Sequence, residues 1–204
     1  FFMQMAVTPN LSLQAELRRR ETEEGDLKLN FNPDLLSPIY RRAFNQDTAR
    51  LGGHLNLSTQ SDLIFSFINT DKEENIKDNK SLGIFSTAAL DASVKEQGYQ
   101  VEAQYLFKMP RFNIVAGVGS YDLDIKEHHI LIIPPYKIIS DLKPEYASRR
   151  DNAYGYTHFN YPDNLAWTVG LSYDAFREGE LGLHQFNPKL GLQWNISENA
   201  RLRL

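Results

Sequence analysis

Apolar and polar residues alternate along most of the chain with a period of two, which is the repeat of a β-strand. Met3, Met5 and Val7 share one parity within residues 1–8, and Leu11, Leu13, Ala15 and Leu17 then alternate with Ser12, Gln14, Glu16 and Arg18. Within 47–58, Ala49, Leu51, Gly53, Leu55 and Leu57 oppose Arg50, Gly52, His54 and Asn56, and Leu63, Phe65 and Phe67 follow. The cleanest alternation sets Tyr99, Val101, Ala103, Tyr105 and Phe107 against Gln100, Glu102 and Gln104, and leads on to Phe112, Ile114, Ala116 and Val118. Further strands are predicted over 151–160, from Leu165 to Tyr173, from Leu190 to Ile196, and from Arg201 onward. No segment keeps the i, i+3, i+4, i+7 spacing of an amphipathic helix. The pattern predicts an all-β chain, an antiparallel up-and-down meander of about ten strands.

The connections alternate as strictly as the strands. Tight turns at Pro9-Asn10, Thr59-Gln60-Ser61, Met109-Pro110-Arg111, Tyr161-Pro162-Asp163-Asn164 and Ser197-Glu198-Asn199 are separated by long polar segments at 20–46, 71–96, 125–150 and 177–185. Short turns at one end and long loops at the other characterise transmembrane β-barrels of the outer membrane, where the short turns face the periplasm. Strands of about 9 to 12 residues also suit a tilted crossing of the hydrocarbon core. Phe107, Phe112, Trp167 and Trp194 stand beside the tight turns, where an interfacial aromatic girdle would place them. Both chain ends fall inside strands, so the 204 residues are expected to be a fragment of one barrel domain with flanking strands missing.

Composition narrows the alternatives. The 26 acidic and 22 basic residues leave a net charge of -4, too balanced for a nucleic-acid-binding field. The chain has no cysteine, which removes disulfides, thiolate metal sites and cysteine nucleophiles. It has no run of about 18 apolar residues, so no transmembrane helix is predicted. A mean hydropathy of -0.45 would suit a water-soluble protein. Strands that alternate between lipid and lumen have equally low means, so this value does not discriminate.

Candidate chemistry is sparse. His54, His128, His129, His158 and His184 lack the i, i+4 spacing of a helical zinc site, and an adjacent pair such as His128-His129 points to opposite faces of a strand. The acidic stretch from Asp71 to Asp78 interleaves lysines and lacks the glycine and terminal glutamate of a calcium loop. No nucleophile elbow, phosphate loop or dinucleotide-binding run occurs, and Gly117-Val118-Gly119 lies within a strand pattern. Neither catalysis, a cofactor nor a metal is expected. What remains is the polar parity itself: Gln14, Glu16, Arg18, Arg50, His54, Asn56, Gln100, Glu102, Gln104, Asp174, Gln193 and Asn195. In a barrel this mixed-sign set would line the lumen, facing water or a plug.

The run Phe186-Asn187-Pro188-Lys189-Leu190-Gly191-Leu192-Gln193-Trp194 resembles the strands of TonB-dependent-receptor-type barrels, in which such a run opens a strand. Val7-Thr8-Pro9-Asn10-Leu11-Ser12-Leu13-Gln14 and the run from Gly98 to Phe107 are similar to barrels attached to tetratricopeptide-repeat domains. The resemblance covers the whole chain but only part of such a barrel. It implies a bacterial outer-membrane location, contact with the lipid bilayer, passage or uptake of a solute or a passive pore, and a periplasmic repeat domain in the parent chain. Plug domain, energy-coupling box and terminal assembly signal are not found in these residues.

Two other classes remain open at this point. A soluble carbohydrate-binding β-sandwich or barrel would stack sugars on Tyr136, Tyr146 and Tyr154. A structural anchor would display its loops to a partner. Alternation is symmetric between a membrane and a soluble sheet: the soluble protein must cover its apolar face with a second layer, whereas the membrane protein presents it as one continuous band. The apolar run Ile130 to Ile133, ended by Pro134-Pro135 and followed by Tyr136, fits a short strand, a lumen-inserted segment or a partner surface equally well.

Overall fold

A computed structural model describes residues 1–26, 39–81, 87–132 and 140–204. Eleven strands form one sheet: β1 (Phe2–Thr8), β2 (Leu11–Gly25), β3 (Arg41–Ser58), β4 (Ser61–Ser81), β5 (Thr87–Met109), β6 (Phe112–Ile132), β7 (Ser140–Leu142), β8 (Glu145–Asn160), β9 (Leu165–Glu178), β10 (Leu181–Ser197) and β11 (Ala200–Arg203). All neighbours are antiparallel and follow chain order, except that the three-residue β7 lies off the path and pairs only with β6. The expected meander is therefore present, with β7 as the additional strand.

The strands are much longer than the alternation predicts. β4, β5 and β6 run for 21, 23 and 21 residues, about twice what is needed to cross a hydrocarbon core. Most of 71–96 and much of 125–150, expected as loops, is ladder: Asp71 pairs with Gln97, Lys77 with Asp91, and Lys126 with Glu145. The segment 177–185 is likewise a hairpin, with Glu178 opposite Leu181 around Gly179 and Glu180. Gly179 has φ 54°, the left-handed conformation that such a two-residue turn requires and that glycine adopts without a Cβ penalty. Ile130, Leu131 and Ile132 belong to β6, so a strand is the correct reading for that part of the apolar run. Its continuation through Pro134, Pro135 and Tyr136 lies outside the described residues.

Residues paired across an antiparallel ladder point to the same side, so the registers define two faces for the whole sheet. One face is apolar near the tight turns. Its successive rows include Phe107 with Ile114 and Thr157, Tyr105 with Ala116 and Gly155, Ala103 with Val118 and Ala153, and Leu171 with Pro188. The band ends within three successive rows: at Ser120 and Asp151 on β6 and β8, at Asn69 on β4, and at Arg19, Asp47 and Gln97 on β2, β3 and β5. Beyond Leu17, Ala49 and Phe67 the same face carries Arg19, Asp47, Asn69 and Asp71, and beyond Val101, Val118 and Ala153 it carries Gln97, Asp122 and Arg149. From Phe107 to Tyr99 the band measures about 27 Å along β5 at a rise of about 3.4 Å per residue.

Nothing among the described residues covers this band. Among the described residues Ala92 is the one apolar residue that is buried, whereas Leu190, Phe186, Val118 and Leu171 are 75%, 68%, 57% and 51% exposed. The accessible surface of 14703 Å² compares with about 9,800 Å² for a compact water-soluble monomer of 23.5 kDa. A second sheet packed on the first, as a sandwich requires, is absent from the described residues.

Candidate functional site

The opposite face carries most of the polar side chains, with Ile64, Ile68, Leu106, Val115 and Phe176 among them, and all twelve residues of the predicted polar parity share it. The registers carry that face continuously across the sheet: Glu16 faces Arg50, Arg50 faces Ile68, Ile68 faces Gln100, and Gln100 faces Tyr121. Tyr121 faces Arg150, Asn152 faces Asp174, and Gln193 follows at the same parity on β10.

Contacts divide the twelve into four groups. Near the first tight turns, Arg50 pairs with Glu16 at 3.2 Å, and Gln14 lies across Gly52, where a Cβ would meet its amide at 2.7 Å. His54 Nε2 and Asn56 Nδ2 both reach Asp62 Oδ1, at 2.9 and 3.2 Å. At the far edge Arg203 donates to Gln193 at 3.1 Å and Arg201 to Asn195 at 2.8 Å. Arg18 belongs to none of these contacts.

The fourth group lies in a depression of about 720 Å³ on the polar face, with Gln100, Glu102, Tyr121, Arg150, Asn152 and Asp174 among its lining. The Tyr154 hydroxyl donates to Glu102 Oε1 at 2.8 Å and accepts from Gln104 Nε2 at 2.8 Å, so a side chain of β8 reaches over β6 to β5. Gly117 makes that crossing possible, because a Cβ there would stand 2.5 Å from the Tyr154 ring. Arg150 donates twice to Asp174 Oδ1, at 2.7 and 3.1 Å, and Asn187 donates to Oδ2 at 3.2 Å. The recess is thus a network of amides, phenols, the Arg150–Asp174 ion pair and the Glu102 carboxylate, which offers many hydrogen-bonding groups and no excess of positive charge.

Arg150, Asn152, Tyr154 and Asn187 were missing from the predicted set. Their parity was available, since they alternate with Asp151, Ala153, Gly155 and Pro188. The hydropathic contrast there is too weak to assign a face without the register.

Beyond the apolar band the polar face continues as ion pairs. Arg42 donates to Glu74 at 2.7 Å and Lys72 to Glu96 at 2.7 Å. The Arg42 hydrogen bond holds the Glu74 carboxyl below its ordinary value. His129 and the Tyr146 hydroxyl bond to the two oxygens of Glu127, at 2.6 and 2.7 Å. These bonds lower the Glu127 carboxyl, and the bond to Glu127 pushes Tyr146 up to about 12. His128, on the other face, meets Asp141 at 2.9 Å. No group of three or more potential ligands arranged for a metal ion occurs among the described residues. Of the three tyrosines considered for sugar stacking, Tyr146 and Tyr154 are engaged in these networks, and Tyr136 lies outside the described residues.

At the tight-turn end of the apolar face, Phe107, Phe112, Trp167 and Trp194 share one side with Phe159, which stacks on Trp167 at 6.0 Å between centroids and 11° between planes. Trp167 Nε1 donates to the carbonyl of Tyr161 in the turn at 3.1 Å. Apolar ring bodies and a polar tip directed at the turn are the arrangement of an interfacial aromatic.

These features, namely one meander, an uncovered apolar band with aromatics at its rim and a polar opposite face, define an outer-membrane-type β-barrel sheet. No protein-family model and no curated protein sequence matches the chain. Solved structures do. FpvAI in its complex with pyocin S2 superimposes with a TM-score of 0.69 at 10% identity, over 97% of this chain and 33% of that one. BauA, the ferric preacinetobactin receptor of Acinetobacter baumannii, gives 0.65 at 11%, over 94% and 36%. FauA, the alcaligin outer-membrane receptor of Bordetella pertussis, gives 0.63 at 14%, over 97% and 32%. The fold is that of the TonB-dependent-receptor type of barrel, and the chain spans about a third of the length of these structures.

Proposed function

We propose that this chain is part of a transmembrane barrel of the bacterial outer membrane, with its apolar band in lipid and its polar face lining a lumen through which a solute passes. The observation that supports this best is that on β2 to β6 and on β8 the apolar face gives way to polar residues, on the side away from the tight turns, within a zone of three neighbouring rows. Below it the two faces differ, as they must between lipid and lumen. Above it both faces carry charged residues, as faces that both meet water do. The tight turns then lie on the periplasmic side, and the long strands project outward beyond the bilayer.

The twelve predicted residues, together with Arg150, Asn152, Tyr154 and Asn187, are the proposed lumen lining. The whole described chain is one partial barrel domain. β1 and β11 each pair on one side, so further strands of the parent protein would complete the barrel. The amide-rich recess around Glu102 and Asp174 favours a solute held by hydrogen bonds over free diffusion through a passive pore. A repeat domain in the parent chain rests on the sequence resemblance of Val7 to Gln14 and Gly98 to Phe107.

The absence of cysteine permits a direct test. Single cysteines at 100, 101, 102 and 103 in the full-length protein, in intact outer membranes, should react alternately. Positions 100 and 102 are expected to take a membrane-impermeant maleimide and 101 and 103 only a lipid-soluble one. Equal labelling of all four, or the opposite parity, would remove the assignment. A soluble protein without heat-modifiable gel mobility would do the same.

A further inference from the structure

We infer that Arg18, Arg20 and Arg50 form a binding site for phosphate or carboxylate groups of an anionic solute on the polar face, an inference that rests on reading that face as the lumen lining. The run Arg18-Arg19-Arg20 divides between the two faces of β2. Arg19, on the other face, is paired with Glu21 at 2.6 Å and with Asp47 at 3.9 Å. Arg18 and Arg20 point to the polar side, where no carboxylate of the described residues stands within 4 Å of either. They enclose a recess of about 110 Å³ with Arg50, Gln46 and Thr48.

The surroundings set this group apart from every other cation of the polar face near it. Arg42 is paired with Glu74, Lys72 with Glu96 and Arg150 with Asp174. Around the recess, three guanidinium groups meet a single carboxylate, Glu16, which is 3.2 Å from Arg50. Arg20 instead lies 5.3 Å from the centroid of the Phe44 ring, which orients its guanidinium without neutralising it. Thr48 is 7% exposed and forms the floor between the arginines. The register places it directly opposite Arg18, one row from both Arg20 and Arg50.

Guanidinium forks suit the paired oxygens of carboxylate and phosphate, and the Thr48 hydroxyl and Gln46 amide add neutral donors. A recess of that volume holds about three to four waters, the space of one such group. A solute with two or more anionic groups could engage Arg18 and Arg50 with one and Arg20 with another, since residues two apart on a strand are about 7 Å apart.

The test is calorimetric titration of the full-length protein in detergent micelles with sodium pyrophosphate and, separately, tricarballylate at matched ionic strength. Saturable binding of either anion is expected, and the stronger of the two identifies phosphate or carboxylate as the preferred group. The double variant R18Q/R20Q should weaken it at least tenfold. Arg177→Gln, on the other face and equally without a carboxylate within 4 Å among the described residues, should leave it unchanged. R18K/R20K keeps the charge and loses the fork, so an intermediate affinity is expected, and it serves as the readout if R18Q/R20Q does not fold. Absence of saturable binding in the wild type, full affinity in R18Q/R20Q, or an equal loss in R177Q would overturn the site. Alternating cysteine labelling with no anion affinity would remove this site alone. Inverted labelling would remove the lumen reading on which it rests.

Discussion

Arginine placed at successive depths of the apolar face should show a cost that rises and falls across the band. Val118 sits in its middle row, opposite Ala103, while Ile114 stands opposite Phe107 beside the tight turn. Val118 is 57% exposed, so Val118→Arg neither empties a packed core nor forces a bulky group into one. Whatever it costs comes from the medium the side chain enters. At the midplane of a bilayer an arginine on a barrel strand costs about 2 to 4 kcal/mol, falling to about 0 to 1 kcal/mol near the interface. In equilibrium terms this is about 30- to 900-fold for Val118→Arg, against about fivefold or less for Ile114→Arg. Guanidinium unfolding of the full-length protein in lipid vesicles measures both. Asp122 provides an internal reference, because it stands opposite Tyr99 at the other rim of the band and the native chain already carries a charge there. Equal and small costs at 114 and 118 would refute the argument, since an apolar face in water would show no depth dependence. A large cost at Gln100→Arg, on the polar face next to Val101, would refute the assignment of the two faces as well.

Gly117→Val should push Tyr154 off Glu102 and Gln104, because the new Cβ would stand 2.5 Å from the ring; a loss of about 1 to 3 kcal/mol is expected in the same unfolding assay. Tyr154→Phe removes the bridging hydroxyl but keeps the ring, so a smaller loss of about 1 kcal/mol is expected there. Tyr146, held up to about 12 by its bond to Glu127, should be among the last tyrosines to ionise in an ultraviolet titration, with that component absent in Tyr146→Phe. Its raised value means that the bond stabilises the strand ends fully below the ordinary tyrosine pKa and is lost as pH rises through about 12. Glu127 and Glu74 are both lowered, so their contributions are present above the ordinary carboxylate value and are lost as pH falls through the depressed one. Hydrogen exchange of the ends of β4, β6 and β8 should therefore quicken in acid before the membrane band does.

Strand parity was legible in the sequence because a side-chain period of two is dictated by the pleat and needs no tertiary information. Gln100, Glu102 and Gln104 could be assigned to one face from their apolar neighbours alone. The same argument explains what was misread. Over 71–81, 87–96 and 125–132 both faces are polar or mixed, so alternation carries no hydropathic contrast, and a continuous ladder looks like a loop. Arg150, Asn152 and Tyr154 escaped the candidate set for a related reason: Asp151 and Gly155 give their neighbours little apolar character.

The sequence by itself determined that this chain is a meander and which residues share a parity. Only the tertiary structure decided how the strands align, because register depends on hairpin pairing across residues that look alike one by one. Alignment brought the ends of separate apolar runs within three neighbouring rows, left that face uncovered, and carried Tyr154 over Gly117 to Glu102. It also set Arg18 and Arg20 beside Arg50 with one carboxylate between three cations, a balance of charge that exists across strands and in no single segment.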